Sequence, residues 1–67
     1  MQGTIKKIID HRGFGFIAIE GQDDDIFFHR SQIGGSLVFE ELNEGTVVAF
    51  ELEDTFKGPQ AVNITAA

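Results

Sequence analysis

Arg12-Gly13-Phe14-Gly15-Phe16-Ile17 is the stretch on which the reading of this chain turns. Phenylalanine alternates with glycine here. In a β-strand, where successive side chains point to opposite faces, both rings stand on one face and Gly15, Ile17 and Ile19 take the other. A second run, Ile26-Phe27-Phe28-His29-Arg30, alternates in the same way. If Ile26 and Phe28 join Ile17 and Ile19 in a core, Phe27 and His29 share the face of Phe14 and Phe16. Two strands are then apolar on both faces. A chain of 67 residues has one core, so the second face is either another packing surface or a surface that binds a ligand. The opposite assignment, with Phe14, Phe16 and Phe27 inside, would put Ile17, Ile19, Ile26 and Phe28 in water.

Working outward, Thr4 to Ile9 is rich in β-branched residues and reads as the first strand, ended by a turn at Asp10-His11-Arg12-Gly13. Arg12 to Glu20 is the second strand, Gly21-Gln22-Asp23-Asp24 a hairpin break, and Ile26 to Arg30 the third strand. From Ser31 to Gly45 the periodicity lapses into a long connection. Ser31-Gln32-Ile33 suits one helical turn capped by Ser31, Gly34-Gly35 is flexible, and Leu37, Val38, Phe39 and Leu42 are apolar anchors. Thr46 to Glu53 reads as a fourth strand with Val48, Phe50 and Leu52 inward. Ala61 to Thr65 reads as a fifth with Val62 and Ile64 inward, after a loop at Thr55-Phe56-Lys57-Gly58-Pro59. A three-stranded meander, a long link and two more strands predict an all-β, five-stranded closed barrel forming one domain over 1–67.

A domain this small buries only about 60% of the surface its unfolded chain exposes. The absence of cysteine removes disulfides and thiolate metal sites and suits a reducing compartment. No run is long enough for a membrane helix, and Met1-Gln2-Gly3-Thr4 does not open a signal peptide, so a cytoplasmic location is expected, without membrane association. The net charge of −6 argues against a nucleic-acid partner if only the sum is considered. Its distribution argues the other way: Lys6, Lys7, Arg12, Arg30 and Lys57 lie in or beside the aromatic strands or in one late loop, and most acids lie elsewhere. Asp23-Asp24-Asp25 offers oxygen ligands but lacks a metal-loop spacing and reads as a solvated turn. His11 and His29 could serve acid–base cleavage of a phosphodiester only if brought together, and their spacing does not do so. No enzyme activity, cofactor, metal or small-molecule substrate is expected.

With these residues in view, the chain resembles the bacterial cold-shock protein family over nearly its whole length. Gly3-Thr4-Ile5-Lys6 is similar to the family's opening, Arg12 to Ile17 to its first ribonucleoprotein-type motif, Ile26-Phe27-Phe28-His29 to its second, and Lys57-Gly58-Pro59-Gln60-Ala61 with Asn63 to its closing strand. The resemblance implies an antiparallel Greek-key barrel of the oligonucleotide/oligosaccharide-binding (OB) type. It also implies sequence-tolerant binding of single-stranded RNA or DNA, as an RNA chaperone does. By position, stacking roles fall on Phe14, Phe16, Phe27 and His29, with Phe39 contributing from the connection. Polar or phosphate-contacting roles fall on Lys6, Arg12 and Lys57. Two departures lie on the binding face: Lys7-Ile8 stands where the family usually has Trp-Phe, and Arg30 where it usually has an aromatic. Lys7 and Arg30 add charge in place of rings, and a guanidinium plane can itself stack on a base. Weaker and more salt-dependent binding is the expected result of that exchange. A reading from another class stays open, in which the barrel serves protein contact or dimerisation, the chain being a monomer or weak dimer. Phe39 and Phe56 have a second reading too, as rings that plug the barrel's bottom.

Overall fold

Five strands close into one sheet in the computed structural model, which describes residues 1–22, 24–35 and 37–67. They are β1 (Gln2–Ile9), β2 (Phe14–Ala18), β3 (Asp25–His29), β4 (Val47–Thr55) and β5 (Gly58–Ala66), in the barrel order β1-β2-β3-β5-β4. Neighbours run antiparallel except β3 and β5, which meet in a single parallel pair, Phe27 with Gln60. The core is Ile5, Ile17, Ile26, Phe28, Phe39, Val48, Phe50, Ala61 and Ile64, so every strand donates to it. Ile17, Ile26 and Phe28 lie inside as the alternation requires, and Phe14, Phe16 and Phe27 lie on the other face.

Gly15 is needed on the inside of the barrel. A Cβ there would stand 2.5 Å from the Lys7 carbonyl and 2.8 Å from the Phe28 ring, so Phe28 packs against bare backbone. Gly13 solves a different problem. Asp10–Arg12 form a 3-10 turn closed by Gly13 in the left-handed region at φ 73°, and its N–H donates to the Ile9 carbonyl at 3.0 Å. The second strand therefore starts at Phe14, and Arg12 sits on a turn rather than in the strand.

Several expected boundaries and orientations are corrected. β3 ends at His29, and Arg30–Gln32 make a 3-10 turn whose cap is the His29 side chain, accepting from the Ser31 N–H, not Ser31 itself. The turn expected at Gly21–Asp24 includes Asp23, which lies outside the described residues; Gly21 takes φ 83° there. Val62 is not a core residue. The pairing passes from Ala49 opposite Thr65 to Glu51 opposite Val62, so β5 carries one residue more than β4 over this step, and Asn63 bulges out at φ 51°. Asparagine tolerates this conformation better than most residues. Its Nδ2 donates to Glu51 at 3.1 Å, and the bulge turns Ala61 inward in place of Val62 while Ile64 lies inside as expected.

Leu52 lies opposite Ala61 but is 40% exposed. The cause is β4's other edge, where β1 reaches no further than Phe50, whose N–H donates to the Met1 carbonyl at 2.8 Å. Glu51, Glu53 and Asp54 line this open stretch, where charge discourages pairing with another chain's strand. The loop expected from Thr55 to Pro59 shrinks to a turn at Phe56-Lys57, with Thr55, Gly58 and Pro59 already in strands. Phe39, on a 3-10 turn of the long connection, is 5% exposed and packs edge-on against Phe28 at 6.3 Å. It plugs the barrel, the second of the two readings its sequence position allowed.

Candidate nucleic-acid interface

Register builds the outer face in rows. Ile9 of β1 stands opposite Phe14 of β2, which stands opposite His29 of β3. The next row runs from Lys7 through Phe16 and Phe27 to Gln60 and on to Glu53, crossing the whole sheet. Residues paired this way share a face, so the row is basic at one end, aromatic in the middle and acidic at the other.

Lys7 reaches this row through a bulge. The register steps from Ile5 opposite Ile17 to Lys7 opposite Phe16, so two residues of β1 span one of β2. Ile5 and Ile8 both turn inward as a result, and Ile8 packs against the core opposite Gly15. The departure at Lys7-Ile8 thus takes one ring from the outer face, at Lys7. The signal was present in sequence: two lysines between isoleucines break strict alternation.

Phe14, Phe16 and Phe27 form a triangle, with ring centroids 5.9 Å (Phe14 to Phe16), 5.4 Å (Phe14 to Phe27) and 6.1 Å (Phe16 to Phe27). Each is half-buried, because the rings cover one another while the assembly stays open to solvent. His29 is exposed at the end of β3; its Nδ1 accepts from the Ser31 N–H at 3.1 Å, which fixes the ring's tilt. No hydrogen bond among the described residues joins it to His11, which is exposed on the Asp10–Arg12 turn. Beside Phe27, β3 and β5 part and leave an open cleft of about 390 Å³ lined by Phe27, Thr55, Lys57, Gly58, Pro59 and Gln60. Lys57 is thereby brought next to the aromatic triangle, although 30 positions separate it from Phe27 in the sequence.

The cations divide into two groups. Lys6 pairs with Asp25 at 3.3 Å, both side chains well exposed, so the contact is screened by solvent and weak. Arg30 donates from Nη2 to Glu40 at 3.1 Å and lies over the Phe39 ring at 5.7 Å, with its backbone N–H on the Gly13 carbonyl at 2.8 Å. The guanidinium thus leans on the connection while its side chain stays more than half exposed. Lys7, Arg12 and Lys57 make no ion pair among the described residues. No group of three or more described His, Asp or Glu side chains gathers as a metal site, and no helix among the described residues is long and apolar enough to cross a membrane.

A closed five-stranded OB-type barrel bearing an outward aromatic triangle defines a cold-shock domain. Residues 1–67 match the family described as ‘Cold-shock’ DNA-binding domain, and the chain belongs to it. Proteins of this family bind nucleic acid and are in general not enzymes. Among its relatives, cold shock protein ScoF of Streptomyces coelicolor is 46% identical over 65 residues, 97% of this chain and 96% of that one. The major cold shock protein of Streptococcus pyogenes serotype M6 is 50% identical over 64 residues, covering 96% and 92%. Of solved structures, drosophila Unr CSD456 superposes with a TM-score of 0.79 at 26% identity, over 98% of this chain and 26% of that longer one.

Proposed function

We propose that this protein binds single-stranded RNA or DNA by stacking bases on Phe14, Phe16, Phe27 and His29, with phosphates met by Lys7, Arg12 and Lys57. One observation carries the reading: three rings held 5.4 to 6.1 Å apart on the face turned away from the core. Each stacked base contributes about 1–3 kcal/mol, and stacking tolerates sequence because every base has a π-face. Holding the unpaired state lowers its free energy by mass action, without catalysis or ATP, which is RNA-chaperone action in the cytoplasm. Lys6 and Arg30 contribute less than their charge implies, since a carboxylate beside each offsets part of its attraction for a phosphate. Three cations with no ion pair among the described residues give a dependence of log K on log salt with slope of roughly −2, at −0.7 per phosphate on a single strand.

Fluorescence anisotropy with labelled oligo-dT and oligo-U tests this, with a duplex of equal length as competitor. Binding of both single strands and weak competition by the duplex are expected. Absence of binding at low salt would overturn the proposal and favour the barrel as a module for protein contact.

A further inference from the structure

We infer that Phe56, with Lys57, forms an additional nucleotide subsite at the tip of the β4–β5 hairpin, lengthening the track that begins on the Phe14, Phe16 and Phe27 rings. The inference rests on the single-strand reading above and adds a residue that reading does not use.

Phe56 is 98% exposed, far more than any other large apolar side chain among the described residues. The turn does not need the ring. Thr55 Oγ1 donates to the Gly58 carbonyl at 2.7 Å and accepts from the Lys57 N–H at 3.2 Å, and Gly58 supplies the φ of 116° that closes the hairpin. Two-residue hairpin turns favour Asn, Asp or Gly, so a phenylalanine here runs against local preference without gaining any packing contact.

The surroundings of the ring indicate its ligand. Lys57 Nζ lies 6.0 Å from the Phe56 centroid, and the same lysine lines the cleft that begins at Phe27. A base on Phe56 would have its phosphate beside Lys57, and the next base would enter the cleft toward Phe27. The chain neighbours Asp54, Thr55 and Lys57 are polar or charged, whereas a protein docking site needs a contiguous apolar patch. A lone ring beside a cation suits a nucleotide, which combines a flat π-face with a negative charge.

The test measures binding of fluorescein-labelled dT8 to the wild type and to Phe27→Ala, Phe56→Ala and Phe56→Trp. Loss of one stacked base is expected to weaken Phe56→Ala by about 5- to 150-fold, with Phe56→Trp restoring wild-type affinity. The chain has no Trp or Tyr, so in Phe56→Trp the indole is the sole long-wavelength emitter, and unlabelled dT8 should quench it. If the wild type does not bind dT8, the single-strand reading itself falls and this inference with it. If the wild type binds and Phe27→Ala weakens it, but Phe56→Ala binds equally well, the subsite alone is overturned. Weakening in Phe56→Ala without quenching in Phe56→Trp also overturns it, since the effect would then be indirect.

Discussion

Phe27 and Phe28 are neighbours in β3, yet one belongs to an open triangle and the other is fully buried under Gly15. The same strand pair therefore carries two aromatic clusters of different kinds. Inside, Phe28 meets Phe39 at 6.3 Å and bare backbone at Gly15, so its surroundings are complete. Outside, Phe14, Phe16 and Phe27 touch one another but leave ring surface in water. The glycine of Phe14-Gly15-Phe16 serves the inner cluster and the phenylalanines serve the outer one. The rings that build the core and the rings left open are separable on this sheet, residue by residue.

The largest effect should come from crossing from the outer cluster to the inner. Phe28→Ala removes a fully buried ring, costing about 3–5 kcal/mol. A domain of this size has a total stability of roughly 3–10 kcal/mol. A thermal melt followed by circular dichroism should show a mostly unfolded protein or a transition far below wild type. Gly15→Ala should fall in the same class, because its Cβ meets the Lys7 carbonyl at 2.5 Å. A wild-type melt for either would mean that the inner face is assigned wrongly.

Next in size is a change that rebuilds the outer cluster. Lys7 stands opposite Phe16 on the same face, so Lys7→Trp adds a ring beside the triangle and removes a charge. Affinity for oligo-dT should rise by about 1–3 kcal/mol less the lost phosphate contact, and the salt slope should flatten by about 0.7. An unchanged slope would show that Lys7 contacts no phosphate.

The smallest effect belongs to the cation that the long connection already engages. Arg30 is held by Glu40 and Phe39, so Arg30→Ala should change oligonucleotide affinity by less than about 1 kcal/mol, the range of an exposed pair. Glu40→Gln should leave binding equal or slightly stronger by freeing the guanidinium. A large loss in Arg30→Ala would return that residue to the binding face.

Much of this was legible in the sequence because period-two alternation is a strong constraint: Phe14, Phe16 and Phe27 could not face inward without exposing Ile17, Ile26 and Phe28. The features that escaped are the places where alternation is broken by an inserted residue. The bulge between Ile5 and Lys7 and the bulge at Asn63 each reverse the facing of the residues beyond them; the paired lysines signal the first, and pairing with β4 reveals the second. Leu52 kept the right parity but lost its cover because β1 ends short of it. Phe39 filling the barrel's end was one of two readings its place in the connection allowed, but local pattern does not tell that the Arg30 guanidinium will lie on that ring. Lys57 beside Phe27 is likewise a product of barrel closure.

The separation of the two clusters is tested most directly by Phe27→Ala, measured in parallel for oligo-dT affinity by anisotropy and for thermal stability by circular dichroism. Affinity should fall by about 1–3 kcal/mol while the melting transition stays cooperative and close to wild type. A variant that unfolds, or one that stays folded and binds as tightly as wild type, would contradict the assignment of Phe27 to a binding face.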